Sequence, residues 1–520
     1  MAASKNLSKK ASLNALASII DYGARVVVEF IITPLLVAGL GNYLYGLWRI
    51  LWRLNGYMDA AGGRSAQALK WIVAQDQSSA DYDEKRRYIG ATVVVWFLFL
   101  PLLLLLGSLL IWLVPVFLKV PKEFLWITQL TIGLLALNVI LMGLVDIPRA
   151  VLQGENLGYK RIGLSTFLVL AGGGLTALAI HLKLGLTGVA SATVVATLLT
   201  GLMFLLVVGK HVSWFGIAKP SRKTIRWLSG LSGWFVVWKV VSQLMLAGDV
   251  LILGIFDSVV LVSIYSLTKY VPETLIRLVG TVVFNISPGL GGIIGAGNLD
   301  KASAVRNEIM AFTWLLLTVS GSVILLWNPL FVQLWVGKDY FAGLIPTLLI
   351  IVWVAQVALI RNDANIIDLT LDIRSKVLVG VLSEILALCL AALLVGHYKM
   401  GIIGVSAGCI AGHFIISLVY PWLVSRFLGI SFYSQLKSTL RPLLSTAFLF
   451  MLVIGASHYQ GAFIHIYKPD TWSELVAGAT ATSAIVLVLA FYSGLARNQR
   501  ANLLKRVRLV TKRSRPDPDD

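Results

Sequence analysis

The stretch IGATVVVWFLFLPLLLLLGSLLIWLVPVFL, Ile89 to Leu118, holds thirty residues and no ionisable side chain. A helix needs about 20 apolar residues to cross the ~30 Å hydrocarbon core of a bilayer. This segment is longer than one crossing requires. Comparable runs recur to the end of the 520-residue chain, which is 58% hydrophobic and only 13% charged, against about 25% charged in a soluble domain. A soluble enzyme and a protein held by a single anchor are both excluded. The runs are continuous, unlike the alternating ten-residue segments of a transmembrane barrel, so the expected fold class is an all-α polytopic membrane protein.

Fourteen transmembrane helices are expected, at about 12–39, 43–63, 88–113, 124–147, 161–181, 185–209, 232–256, 259–288, 308–327, 343–367, 377–396, 401–424, 442–459 and 474–495. The N-terminus is basic (Lys5, Lys9, Lys10) and then apolar, as a secretion signal would be. It lacks a small-residue cleavage site, and its apolar run contains Asp21, Arg25 and Glu29, so it reads as a retained first span.

Lysine and arginine set the orientation, because cytoplasmic loops of membrane proteins are enriched in both. With the N-terminus placed in the cytoplasm, the cytoplasmic segments collect 31 of the 44 Lys and Arg residues, and the outer loops hold six: Lys119, Lys122, Lys183, Lys338, Lys399 and Lys468. Both termini are therefore expected in the cytoplasm. The net charge of +19 follows from this loop bias and does not imply nucleic acid.

The segment HLKLGLTGV, His181 to Val189, returns as HYKMGIIGV, His397 to Val405, at an offset of 216. Six helices lie between the copies, so the copies keep the same direction through the membrane. That is the parallel type of transporter repeat. It divides the chain into an N-terminal six-helix lobe with its basic inter-lobe loop (1–231), a C-terminal six-helix lobe (232–430), and two further helices with a basic cytoplasmic tail (431–520). No outer loop is large enough to be a domain, so any work is done within the membrane or at its cytoplasmic face.

Seven basic residues fall inside expected helices: Arg25, Arg49, Arg53, Lys239, Lys269, Arg277 and Arg361. Facing lipid, they would cost roughly 20 kcal/mol at about 3 kcal/mol each. They are expected to face an aqueous cavity or a partner. Asp21, Arg25 and Glu29 share one face of helix one, and Lys269, Glu273 and Arg277 share one face of helix eight. Each stripe reads either as ion pairs within its own helix or as the lining of a hydrated, anion-binding cavity. Helix one runs outward and helix eight inward, so opposite signs also align across them: Asp21 with Arg277, Arg25 with Glu273, Glu29 with Lys269. Such pairs would form a gate. Arg49 and Arg53 share a face with no acid three or four residues away. With Arg25, Lys269, Arg277 and Arg361 they are the expected substrate-binding set. Pro34 and Pro272 interrupt helices one and eight.

Enzymatic readings fare poorly. The six histidines show no metal-ligand spacing, no catalytic or metal site is expected, and no phosphate-cradling loop of Walker type occurs. The glycine run Gly289 to Gly297 follows no strand and reads as a helix end and loop. Cys389 and Cys409 sit in apolar runs as small hydrophobes.

The chain resembles the polysaccharide flippases of the MOP superfamily, the Wzx-like polysaccharide biosynthesis proteins, and more distantly the lipid II flippase group. The resemblance rests on ITPLLVAGLGNYLYGLWRI (Ile32 to Ile50), GDVLILGIF (Gly248 to Phe256), IYSL (Ile264 to Leu267) and NISPGLGGIIGAGNLDKA (Asn285 to Ala302). It implies a bacterial inner-membrane protein that moves undecaprenyl-pyrophosphate-linked oligosaccharide to the outer leaflet for O-antigen or exopolysaccharide synthesis. A polysaccharide polymerase and glycosyltransferases would act beside it, and protons, sodium or the membrane potential would drive it, with no cofactor. The residues agree with such a cargo: a pyrophosphate needs cations, and arginine's planar fork donates to phosphate bidentately. The alternatives are a cation-coupled multidrug exporter of the same superfamily, and a membrane-embedded polymerase or ligase.

Overall fold

The computed structural model describes residues 2–62, 65–75, 81–155, 162–277, 290, 294, 298–368, 374–463 and 471–504. The described residues are helical apart from turns and short links. In order they are α1 (Ala2–Ala61), α2 (Ser65–Gln75), α3 (Tyr82–Phe117), α4 (Lys122–Gly154), α5 (Ile162–His181), α6 (Gly185–His211), α7 (Arg222–Phe256), α8 (Val259–Thr268), α9 (Tyr270–Arg277), α10 (Leu299–Trp335), α11 (Leu344–Asp368), α12 (Arg374–Gly396), α13 (Gly401–Gly412), α14 (Phe414–Leu428), α15 (Phe432–Phe463) and α16 (Trp472–Ser493).

Among the described residues twelve helices are long and apolar enough to cross a membrane, or thirteen when α8 and α9 are taken as one span bent by 56°. The first of these, Gly23–Ala61, has 39 residues, about 58 Å at 1.5 Å per residue and nearly twice a bilayer core. It is divided at Gly41, whose φ of 72° and ψ of 173° lie outside the helical region. Glycine reaches that φ without the Cβ clash of other residues. Before the break, Val28 lies against Gly173 and Gly39 against Ile180, so this half runs parallel to α5. After it, Ile50 lies against Gly254 and Gly56 against Gln243, so the second half runs antiparallel to α7. Split there, α1 supplies two crossings, and the described residues read as fourteen spans. The protein is a multi-pass membrane protein of all-α class.

The fold packs as two compact units, Met1–Ser263 and Ile264–Asp520. In the first, α4 packs on α6 and α3, and α5 packs on α1 and α6. Met58, Leu103, Ala136 and Val139 form one buried cluster, and Leu69, Val73, Ile89, Val151, Phe204 and Val208 another. Helix α2, absent from the sequence expectation, is wedged on its buried Ala68, Leu69, Ile72 and Val73 between α3, α4 and α7. The α7 helix belongs to this unit by packing, although the sequence repeat assigns it to the second lobe.

In the second unit α12 packs on α13, α11 on α13 and α14, and α10 on α11, α15 and α16. The last two helices are thus bound to α10. Trp327 Nε1 donates to Thr482 Oγ1 at 3.0 Å, Thr318 and Thr446 hydroxyls meet at 2.6 Å, and Phe450 joins Ile324, Leu325 and Ile351 in one cluster.

The repeated sequence has a repeated backbone. Lys183 and Lys399 both have φ of 55°, and the glycines two residues on have φ of 62° and 51°. Gly188 N–H donates to the Leu184 carbonyl at 3.2 Å, and Gly404 N–H to the Met400 carbonyl at 3.1 Å. The same turn therefore joins α5 to α6 and α12 to α13.

Candidate functional site

In the first unit the helix after Gly41 has one apolar side and one basic side. Leu47, Ile50 and Leu51 are buried, while Arg49 and Arg53 are half-buried and one turn apart, about 6 Å along the axis. Arg49 Nε is enclosed and has no hydrogen-bond partner among the described residues. A guanidinium donor in that condition is expensive unless a ligand or water completes it. Arg25 is exposed and Glu29 half-buried in the first half of α1; the Asp21 side chain lies outside the described residues.

In the second unit the other expected cations lie near a helix break. Pro272 has no N–H to give to the Thr268 carbonyl, four residues back, and its ring crowds that position. The chain bends at Lys269, and the freed Thr268 carbonyl accepts instead from Asn328 Nδ2 of α10 at 3.1 Å. Thr268 Oγ1 accepts the Ala342 N–H at 2.9 Å and donates to the Tyr340 carbonyl at 3.3 Å, which ties the break to the α10–α11 link. Burial, and then the neighbouring Asp339 carboxylate, push the Tyr340 hydroxyl's pKa above its usual value. Lys269, 1% exposed, holds its ammonium 4.1 Å from the centre of the Trp353 ring and 5.2 Å from that of Tyr265. Aromatic faces are a natural seat for a desolvated cation.

Glu273 and Arg277 meet within their own helix at 3.7 Å, the first of the two readings given to that stripe. The gate pairs expected across helices one and eight remain a proposal. Arg361 is half-buried on α11, two residues from Asp363. Asp363 is taken up by Arg306 of α10 in a buried fork, Nε to Oδ1 at 2.9 Å and Nη2 to Oδ2 at 3.0 Å.

Three buried polar groups escaped the sequence reading. Arg306 was counted with the cytoplasmic loops, but α10 begins at Leu299, capped by the Asn298 side chain on the Lys301 N–H, and carries Arg306 inside. Lys85, also counted as a loop residue, is 2% exposed; its ammonium lies 3.2 Å from Glu155 Oε1, which also accepts from Trp214 Nε1 at 3.0 Å. Glu384 and His413 form a buried pair at 2.9 Å. That pair had a readable signal: each lies twelve residues from the α12–α13 turn, so folding the hairpin places them opposite each other. The glycine run Gly289–Gly297 lies outside the described residues except at Leu290 and Ile294.

No family model and no curated protein matches the sequence. Solved structures do. The lipid II flippase MurJ in an inward closed conformation aligns with a TM-score of 0.63 at 13% identity, over 91% of this chain and 97% of that one. The eukaryotic MATE transporter AtDTX14 gives 0.61 at 17% identity, over 86% and 98%. A MOP superfamily transporter from Pyrococcus furiosus, described as having a binding pocket of reversed polarity that suggests a different function, gives 0.54 at 14% identity, over 81% and 96%. The chain shares the fold of these transporters. At these identities the likeness speaks to the fold and not to the cargo. The match to MurJ takes in a tenth more of the 520 residues than the match to the Pyrococcus protein.

Proposed function

We propose that the protein is a flippase that carries oligosaccharide units, linked to undecaprenyl pyrophosphate, from the cytoplasmic to the outer leaflet of a bacterial inner membrane, for O-antigen or exopolysaccharide synthesis. The observation that carries this reading is the pair Arg49 and Arg53: two arginines one turn apart in a membrane-spanning helix, one of them with an unsatisfied enclosed Nε. Two guanidinium forks about 6 Å apart suit a pyrophosphate, whose two phosphoryl groups each accept bidentate bonds. Arg25, Lys269, Arg277 and Arg361 would extend the cationic lining along the route. Both termini would lie in the cytoplasm, and polysaccharide polymerase and glycosyltransferases would be its partners.

A multidrug exporter is the second reading, favoured by the MATE transporters among the structures of this fold. Cationic drugs call for an acidic cavity, whereas the helix after Gly41 carries Arg49 and Arg53 with no acid three or four residues from either. Gene deletion separates the two. For a flippase, undecaprenyl-linked sugars accumulate on the cytoplasmic leaflet and surface polysaccharide is lost. For an exporter, drug sensitivity rises and the lipid-linked pool is unchanged.

A further inference from the structure

We infer that Glu384 and His413 form a proton-binding site in the membrane-embedded interior of the second unit. The inference deepens the transporter reading by naming an ion that could be exchanged against cargo. Glu384 Oε2 and His413 Nε2 lie 2.9 Å apart, and their side chains are 3% and 1% exposed. Each is twelve residues from the outer turn, about 18 Å deep by helical rise and so near mid-membrane. Among the described residues no further His, Cys, Asp or Glu joins them in a metal-holding group.

The surroundings fix the backbone and leave the imidazole half-satisfied. His413 stands at the junction of α13 and α14, where three carbonyls are taken by side chains. Gln356 Nε2 donates to Ile410 at 3.1 Å, Ser383 Oγ to Gly412 at 2.7 Å, and Ser417 Oγ to His413 at 2.9 Å. Gly408 and Gly412 let α13 lie on the α12 backbone at Ala391 and Ala387, where a Cβ would overlap. Against this close packing, His413 Nδ1 has no hydrogen-bond partner among the described residues, and neither has Gln356 Oε1. An ion pair kept only to hold α12 to α13 would gain nothing from an orphaned ring nitrogen.

The internal repeat supplies the control. The equivalents of Glu384 and His413 at the offset of 216 are Leu168 and Thr197. The α5–α6 hairpin forms with the same turn and without ionisable groups there; Thr197 Oγ1 bonds Asn138 Oδ1 at 2.7 Å. The architecture does not require the pair.

Holding one proton, the pair is neutral, either as carboxylate and imidazolium or as carboxylic acid and imidazole, and both forms keep the Nε2–Oε2 bond. Losing that proton to water leaves one buried negative charge. Gaining a second leaves one buried positive charge, and the imidazolium N–H then donates to a neutral carboxyl oxygen in place of a carboxylate, a weaker bond. Changing the proton count therefore changes the bond that holds α12 to the α13–α14 junction. The charged and titratable groups on the elements packed around it are Arg374, Lys376 and Cys389 of α12, Cys409 of α13, Tyr420 and Arg426 of α14, Arg361, Asp363 and Asp368 of α11, and Asp300, Lys301, Arg306 and Glu308 of α10. Arg306 and Asp363 neutralise each other, and Tyr420 OH is committed to the Lys376 carbonyl at 2.9 Å.

The test uses the full-length protein, labelled with 15N-histidine, in phospholipid vesicles without substrate. The His413 ring signals are assigned by comparison with His413→Gln. The expected result is a protonation change of the His413 ring between about pH 5 and 9, with its midpoint shifted in Glu384→Gln. Infrared spectra of the unsubstituted protein give a second readout that needs no variant: a buried carboxyl band that appears and disappears over the same range. Ring signals and carboxyl band that stay constant across the range overturn the inference. Neither measurement involves lipid-linked sugar, so a wrong cargo leaves the result intact.

Discussion

Asp363→Leu removes one partner of the buried fork while keeping similar volume. Arg306 is then a 4% exposed guanidinium that has lost two charge-assisted bonds at 2.9 and 3.0 Å. Stranding a buried charge in this way costs about 3–5 kcal/mol. For a unit of this size each kcal/mol lowers the unfolding midpoint by about 2–3 °C, so the expected loss is about 6–15 °C. Arg306→Met with Asp363→Leu leaves no charge behind and is expected to recover most of that loss. Tryptophan fluorescence of the full-length protein during heating in detergent reads both midpoints. A single variant within about 2 °C of the parent, or a double variant no better than the single, would refute the buried fork.

Arg49→Ala and Arg53→Ala each reduce transport more than they reduce expression, and Lys at either position rescues poorly because it cannot fork; full transport in the double alanine variant removes this pair from the mechanism. Arg25→Glu impairs transport, and adding Glu273→Arg restores part of it, if the two residues pair in some state of the cycle; a double reversal no better than the single sinks the gate. Lys183→Cys and Lys399→Cys both react with a membrane-impermeant thiol reagent added outside intact cells. Labelling of one from outside and the other only from inside would contradict the parallel repeat and the expected topology.

The spans were legible because a lipid-facing helix shows its hydrophobicity in composition alone. The Gly41 break was legible too, since no single helix of 39 residues fits a bilayer. Helix α2 was not. It is short, it follows Gly62 and Gly63, and its four buried residues meet α3, α4 and α7, which no local window contains. Hydropathy also mistook long helices for loops: Arg306, Lys376 and Lys85 lie on helices that extend past their apolar windows, and each is buried. Of the expected site, Arg49 and Arg53 were visible as cations without nearby acids. Pro272 announced the bend at Lys269, but the aromatic seat for the ammonium came from Trp353, 84 residues away.

The central claim is that Arg49 and Arg53 carry a lipid-linked pyrophosphate cargo across the membrane. It is tested most directly with purified protein in sealed proteoliposomes holding undecaprenyl-pyrophosphate oligosaccharide in one leaflet, where arrival of the sugar in the other leaflet is followed by its exposure to a membrane-impermeant glycosidase. The account predicts protein-dependent transfer that the Arg49→Ala, Arg53→Ala variant loses. Transfer no faster than in empty vesicles, alongside uptake of a cationic drug, would contradict it.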